Sequence, residues 1–406
     1  MKTGLTSAQL QRNVRLQVFL RIFQKRVFLP LAAIYFMSVA GFDVQKIGLL
    51  ATWFALLQVI VEVPTGMYAD RFGKVQSERI GAFLNICATL LYVLEPNTVG
   101  IFTGMALEAI GYSFFGGACE ALLHDTLQAQ GRIAAYTKTL ARIQSISLAV
   151  NAVLVGLVPL TYAIDPRLPF VVGTVAYLSL FGVTFLLHEV YPGASREAPT
   201  MRPSLRTRLK VVLQYRRLVP FLLVFGFISA LYTAPSDFAN LAFKELGLAP
   251  ERLGFVFAAG SIVGVGFGWV LHWFKKMPFY VYALTDWLVL WVWLASVWTR
   301  NLEVMVAVNI CTMAFWRYRR IIYQEKLLEV LGTNRKATAL SVMNNASQMN
   351  ELYIPVVFGV MAGAFTIPQA YGIASLVLLA VLPAWLWVIR GLSSRAVTTC
   401  IAIPEL

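Results

Sequence analysis

Three acidic residues lie inside long apolar runs of this chain, where a charged side chain is costly: Glu62, Glu108 and Asp286. A charge in hydrocarbon costs roughly 2.5–3.5 kcal/mol, so each carboxyl group must face water, a partner or a ligand. Desolvation favours the neutral acid, which lets such a group take up and release a proton. The three are therefore candidates for proton binding, with Glu108, deep in its run, as the first of them. A fourth acid, Glu120, is predicted to neutralise Arg320 instead.

Polar residues at helical spacing in the apolar runs predict a second kind of site. Residues three, four or seven positions apart share one helix face and can line a water-filled cavity. The predicted lining residues are Arg21, Gln24, Lys25, Tyr112, Tyr232, Thr233, Asp237, Asn309, Trp316 and Arg320. This lining is basic, which favours an organic anion. Its aromatic rings suit an amphipathic molecule, and they fit lipid-facing or core positions equally well.

The basic residues of the first apolar run have a second interpretation. Arg21 and Lys25 fit either the cavity lining or an extended position in which the charge reaches the lipid headgroups. Arg26 lies at a different helical angle and is predicted to reach the headgroups rather than to line the cavity.

The composition requires a membrane around these residues. The 406-residue chain is 58% hydrophobic and 13% charged, with a mean hydropathy of +0.69. That leaves too little polar surface to cover a water-soluble globule. The apolar runs are about 20 residues long, the length that spans a bilayer as a helix. We therefore expect an all-α integral membrane protein.

Hydropathy predicts twelve membrane-spanning helices. They lie near 16–39, 47–66, 79–95, 99–123, 138–161, 169–188, 218–240, 250–272, 278–299, 303–326, 337–364 and 368–390. The predicted halves, 1–189 and 218–391, flank a cytoplasmic linker at 190–217, and 392–406 forms a cytoplasmic tail. With both termini in the cytoplasm, Lys and Arg concentrate on the inner side, as the positive-inside rule requires. The net charge of +14 then needs only anionic lipid and no nucleic acid as a partner.

A charged turn follows the second predicted span and reads Gly66-Met-Tyr-Ala-Asp70-Arg71-Phe-Gly73-Lys74. It resembles the loop between helices 2 and 3 of major facilitator superfamily transporters, whose pattern is G-x-x-x-D-R-x-G-R-(R/K). Lys74 keeps the charge where Arg is usual, and Val75 departs from the last basic position. The resemblance implies that the twelve helices form two pseudo-symmetric six-helix halves with the substrate site at the midplane.

The resemblance also implies a gating role for this turn. In the family, the loop aspartate docks on the start of helix 11, and the later basic residue pairs with the acid that ends helix 4. Carried over, Asp70 would cap the helix near Ala337–Ser341, and Lys74 would pair with Asp125. These contacts would lock one side of the transporter during alternating access. In the plainer interpretation, both residues are solvated loop charges.

The expected function is secondary active transport across a bacterial cytoplasmic membrane by a monomer without cofactor or metal. We expect a small organic solute, an amphipathic organic anion, moved with protons. The alternative is proton-driven efflux of lipophilic or cationic compounds, although the stretch Asn151-Ala-Val-Leu-Val-Gly156-Leu-Val-Pro159 lacks the helix-5 signature of drug antiporters. The chain has no phosphate-binding loop that would use ATP. It also has no clustered acid and base groups of the kind an enzyme needs.

Overall fold

The computed structural model describes residues 5–190, 219–331 and 349–393, and every regular element in these ranges is helical. The α-helices, in chain order, are α1 Ser7–Phe23, α2 Leu29–Ser38, α3 Val44–Phe72, α4 Lys74–Leu94, α5 Thr98–Phe115, α6 Ala118–Ala129, α7 Tyr136–Leu157, α8 Leu168–Thr184, α9 Val219–Glu245, α10 Leu253–Lys276, α11 Phe279–Trp298, α12 Leu302–Leu331, α13 Ile354–Ala364 and α14 Ile367–Ser393.

Many of these helices have the length and apolar character of membrane spans. Among the described residues, six meet that test outright: Val44–Phe72, Lys74–Leu94, Thr98–Ala129, Ile133–Ala163, Phe279–Trp298 and Ile367–Arg390. The two parts of α9, which Pro235 interrupts, meet at 43° and make a seventh if they form one span. Shorter apolar helices are Leu29–Ser38, Leu168–Thr184, Leu302–Trp316 and Met349–Ala364. The expected all-α membrane fold is confirmed, and the number twelve stays a prediction.

Two spans that were expected to be continuous are broken. The first consists of α1 and α2, separated by residues 24–28. Pro30 lies in the first turn of α2, where its ring fits a helix start but disfavours helical geometry in the residue before it. The fourth consists of α5 and α6, and Gly117 between them has φ 83°, which glycine adopts without steric cost.

The chain divides into two compact units. Unit 1 comprises the described residues 5–190 together with 250–258, and unit 2 comprises 219–249, 259–331 and 349–393. In unit 1, α4 packs between α5 and α8, and α3 packs on α5. In unit 2, α11 packs on α12 and α14, and α14 also packs on α9. The predicted domain boundaries stay predictions.

Candidate functional site

The break in the first span brings a guanidinium group into unit 1. Arg26 Nη1 lies 3.6 Å from Glu108 Oε1 on α5. The guanidinium carbon lies 4.8 Å from the ring centre of Phe54 and 4.9 Å from that of Tyr112, within the range of cation–π attraction. The prediction that Arg26 reaches the headgroups is wrong, because the turn at 24–28 directs its side chain inward. We call Arg26, Glu108, Phe54, Tyr92 and Tyr112 the Arg26 site.

Glu108 is buried with few partners. Its side chain is 2% exposed, whereas that of Arg26 is 22% exposed. Tyr92 OH donates to Glu108 Oε2 at 2.7 Å. Glu108 Oε1 accepts no hydrogen bond from any described residue, and its 3.6 Å separation from Arg26 is too long for one. The carboxylate therefore depends on one hydroxyl and one loose ion pair.

A second polar group of residues surrounds the two helix breaks. We call Arg21, Gln24, Glu78 and Glu120 the break cluster. Arg21 Nη2 donates to Glu120 Oε1 at 2.7 Å, and Gln24 Nε2 donates to Glu78 Oε2 at 2.6 Å. Tyr112 OH donates to the Gln24 backbone oxygen at 2.5 Å, which joins the cluster to the Arg26 site. Glu120 thus pairs with Arg21, and its predicted pairing with Arg320 falls on a side chain outside the described part of the structure.

The ion pair of unit 2 is sealed from its surroundings. Arg319 Nε donates to Asp286 Oδ1 at 2.6 Å, and Arg319 Nη1 donates to Ser229 Oγ at 2.8 Å. Tyr323 OH donates to Asp286 Oδ2 at 2.9 Å. The Arg319 side chain is 3% exposed and that of Asp286 0%. Every carboxylate oxygen has a short donor, so the geometry favours a structural role for Asp286.

Aromatic rings complete the surroundings of Arg319. The guanidinium lies 4.8–5.3 Å from the ring centres of Phe225, Tyr232, Trp316 and Tyr323. Two of the four, Tyr232 and Trp316, belong to the predicted cavity lining, and their ring centres are 4.5 Å apart. Tyr232 is 5% exposed and donates its hydroxyl to the Asp286 backbone oxygen at 2.9 Å. Both residues thus pack around an ion pair inside unit 2.

The remaining predicted residues lie in several places. Thr233 Oγ1 donates to Glu351 Oε1 at 3.1 Å, and Asn309 on α12 is 7% exposed. Lys25 in the first break and Glu62 on α3 are exposed. The side chains of Asp237 and Arg320 lie outside the described part of the structure.

The motif turn joins α3 to α4. Asp70 and Arg71 are exposed at the end of α3. The Lys74 ammonium group pairs with the Asp125 carboxylate on α6, which is the contact that the resemblance implies. The predicted contact of Asp70 with residues 337–341 falls outside the described residues. The gating role of these contacts stays a prediction.

Glu189 holds the start of α4 in this turn. Its Oε1 accepts from the Lys74 backbone nitrogen at 2.9 Å, and its Oε2 accepts from that of Val75 at 2.7 Å. A carboxylate on the first amides of a helix satisfies donors that lack intrahelical partners, and it complements the helix dipole. Gly73, just before them, has φ 108° and ψ 153°, a backbone conformation that is essentially restricted to glycine.

Alanine substitution of the two motif glycines is expected to have opposite effects. A Cβ at Gly73 would lie 2.7 Å from the Glu189 carboxylate, whereas nothing lies within 4 Å of one at Gly66. Gly73→Ala should lower the free energy of unfolding by about 1–3 kcal/mol. Gly66→Ala, inside α3, should raise it by up to about 1 kcal/mol. Thermal unfolding in detergent measures both, and equal melting temperatures for the two variants would contradict this account of the turn.

Three central residues were missed or misassigned from the sequence: Arg26, Glu78 and Arg319. Arg26 was missed because the first span was predicted to be one continuous helix. Glu78 was missed because the third span was predicted to begin only at residue 79. The signals for the breaks are present as the polar run before Pro30 and as the pair Gly116-Gly117. Arg319 lies in the basic run 317–320, and helical spacing alone selected its neighbour Arg320.

An all-helical membrane fold with charged groups at broken spans is typical of secondary transporters. The chain belongs to the Major Facilitator Superfamily, whose family model matches residues 16–350. Proteins of this family are membrane transporters of small-molecule substrates and not enzymes.

Similar proteins agree with this assignment. The uncharacterized MFS-type transporter YxaM of Bacillus subtilis is 21% identical over 362 residues, which cover 87% of this chain and 89% of that protein. The crystal structure of the nucleoside transporter NupG covers 94% of this chain and 99% of its own at a TM-score of 0.79 and 13% identity. The crystal structure of a bacterial homologue of the human lysosomal transporter Spinster covers 95% of this chain and 97% of its own. Its TM-score is 0.66 and its identity is 14%. At these identities the likeness of the solved structures concerns the fold alone.

Proposed function

We propose that this protein transports a small amphipathic organic anion together with protons, and that the Arg26 site couples the two. The transporter would work as a monomer in a bacterial cytoplasmic membrane, with both termini inside. The observation that carries the proposal is the loose ion pair between Arg26 and Glu108. In it, a partly exposed guanidinium faces a buried carboxylate at 3.6 Å.

The contrast with unit 2 supports this choice of site. Arg319 and Asp286 are 2.6 Å apart, and their side chains are only 3% and 0% exposed, so neither group is accessible to a ligand. The Arg26 side chain is 22% exposed and its ion pair with Glu108 spans 3.6 Å, so a ligand anion can compete with this carboxylate. A planar guanidinium beside aromatic rings suits a carboxylate or phosphate attached to an apolar body.

The proposed mechanism is a thermodynamic linkage between proton and anion. When Glu108 takes up a proton, Arg26 loses its neutralising charge and attracts the substrate anion. When the anion is bound, Glu108 no longer has a cation to stabilise its charged form and holds the proton. Each ligand therefore strengthens binding of the other by the same factor. Alternating access then carries both across, with Asp70, Lys74 and Asp125 acting at the gate.

A second candidate function, efflux of lipophilic cations, is supported by Glu62. This carboxyl group is exposed on α3, a span whose apolar stretch is only 17% buried. An exposed acid on such a span attracts a cationic amphiphile. The two functions differ in which charged residue the solute needs, and this difference makes them separable.

A thermal-shift screen against matched panels of organic anions and lipophilic cations tests the proposal. At least one anion is expected to raise the melting temperature of the wild type. The shift should be lost in Arg26→Ala and retained in the matched control Arg142→Ala, which removes an exposed arginine of α7. The double variant Arg26→Ala/Glu108→Gln leaves no unpaired carboxylate at the Arg26 site. If the anion shift is also absent in this variant, its loss reflects lost binding rather than lost stability.

Two results would contradict the anion proposal. Stabilisation by cations alone, lost in Glu62→Gln, would favour efflux of lipophilic cations. An anion shift that survives in Arg26→Ala would remove Arg26 from the binding site.

A further inference from the structure

Glu78 lies where the two broken spans of unit 1 meet. On one side, Gln24 from the first break donates to its carboxylate at 2.6 Å. On the other, the neighbouring Ser77 donates to the backbone oxygen of Phe114 at 2.8 Å, just before the break in the fourth span. Glu78 is 0% exposed, although it lies only one turn from the start of α4. The carboxyl group is thus enclosed by interrupted helices rather than by solvent.

The charges around Glu78 do not balance. Arg21 on α1 is the cation that acts on it among the described residues, and the backbone amide of Cys119 on α6 also lies beside its carboxylate. Arg21 donates to Glu120 at 2.7 Å, so the break cluster holds two carboxyl groups and one guanidinium. The side chain of Gln24 adds no charge. A buried carboxylate without a cation is strongly unfavourable, and a membrane increases that penalty.

Unused hydrogen-bonding atoms remain at this place. Glu78 Oε1 and Arg21 Nε have no partner among the described residues, and neither has Gln17 Nε2, whose residue is 1% exposed. A fully satisfied structural cluster would leave no such atoms, because each buried orphan costs free energy. These unused atoms permit a second arrangement of the cluster in which they are paired.

We propose that Glu78 is a second proton-binding carboxyl group of the transporter, which holds a proton while Arg21 is paired with Glu120. Movement of Arg21 from Glu120 to Glu78 would neutralise the Glu78 carboxylate and release its proton to water near the start of α4. This inference rests on the proposed function and deepens it. The transporter would then carry protons at two places, Glu108 on α5 and Glu78 on α4.

The two proton sites are mechanically connected. Tyr112 lies beside the Arg26 guanidinium and donates to the Gln24 backbone oxygen at 2.5 Å. Gln24 in turn donates to Glu78. A substrate anion that displaces Arg26 therefore shifts the segment that carries the donor to Glu78. Substrate binding at the Arg26 site would then affect the proton affinity of Glu78 through residues 24–26.

Infrared difference spectroscopy of the purified protein in lipid nanodiscs tests the proposal without a known substrate. Between neutral and alkaline pH, the wild type is expected to lose the carbonyl stretch of protonated carboxyl groups. One component of this signal should be missing in Glu78→Gln and another in Glu108→Gln. Glu95→Gln, which removes an exposed acid at the opposite end of α4, should retain both components.

A further variant tests the movement of Arg21 and guards against misfolding of Glu78→Gln. In Glu120→Gln, Arg21 is freed to pair with Glu78, so the Glu78 component should be absent at neutral pH although the residue is intact. A component that persists in Glu120→Gln would overturn the proposed exchange. A Glu78 that Arg21 cannot reach would keep this component in Glu120→Gln.

The outcomes separate this inference from the proposed function. A wild-type spectrum in Glu78→Gln, with the Glu108 component still lost in Glu108→Gln, overturns only the second proton site. A Glu78 component that appears in choline chloride and disappears in sodium chloride would also overturn it, in favour of a sodium site. Loss of the Glu78 component alone, with none assigned to Glu108, would leave Glu78 as the proton site and contradict the role proposed for Glu108.

Discussion

Glu108→Gln is expected to abolish accumulation of the substrate anion against its gradient while leaving exchange across the membrane intact. Glutamine is neutral, so it mimics the protonated acid and leaves Arg26 permanently available to the anion. Anion binding at the Arg26 site then no longer requires a proton, so the pH gradient no longer drives uptake through this site. Proteoliposomes of this variant with an imposed pH gradient, supplied with an anion identified by thermal shift, should equilibrate the anion without concentrating it above the outside level.

Glu303→Gln is the matched control for this substitution, because it removes an exposed acid of α12 and should accumulate the anion like the wild type. Accumulation by Glu108→Gln at the wild-type level would show that protons are carried elsewhere. Loss of exchange as well as accumulation would mean that Glu108 is needed for binding itself and not for coupling.

Asp286→Ala is expected to be the most destabilising single substitution in unit 2. It leaves the Arg319 guanidinium buried without its carboxylate, and breaking a buried ion pair costs about 3–5 kcal/mol. The hydrogen bond from Tyr323 to Asp286 is lost with it. Unfolding in SDS, followed by tryptophan fluorescence, measures the change in the free energy of unfolding.

The paired control removes a charge from a solvated ion pair. Lys46 and Asp43 lie 4.0 Å apart with side chains 42% and 60% exposed, so Lys46→Ala should cost less than about 1 kcal/mol. The double variant Asp286→Ala/Arg319→Met, which leaves no unpaired charge, should recover part of the loss. If Asp286→Ala is as stable as Lys46→Ala, the pair is not the structural element described here.

Much of the fold could be predicted from the sequence because hydropathy and membrane thickness constrain it strongly. Length and apolar character predict helices that cross a bilayer, and the motif from Gly66 to Lys74 indicated the family. The contact between Lys74 and Asp125 also followed from that motif. Glu108 was found because a charge in an apolar run is costly wherever the helix points.

The partners of these charged residues could not be predicted from the sequence in the same way. Helical periodicity assigns a direction to each side chain only if the helix is continuous. The turn at 24–28 rotates Arg26 away from the angle that a continuous helix gives it, so its pairing with Glu108 was missed. Glu78 was placed outside the membrane because hydropathy averages over a window and cannot locate the end of a span within one turn.

Long-range pairing limited the interpretation of unit 2. Asp286 was recognised as a buried acid, but three arginines within 317–320 compete for it by type alone. The choice of Arg319 depends on how α11 packs on α12, which no local pattern specifies. Both carboxylate oxygens of Asp286 accept a hydrogen bond, one from Arg319 and one from Tyr323, and this geometry favours a structural role for Asp286.

The proton flux that accompanies a solute is the most direct test of coupling at the Arg26 site. Proteoliposomes that contain a pH-sensitive dye, with no imposed gradient, would be exposed in turn to the organic anions and the lipophilic cations of the screen. The account predicts that an anion which stabilises the wild type also acidifies the lumen, and that Glu108→Gln removes the acidification. A lumenal pH that no stabilising anion changes, or that responds only to cations, would contradict it.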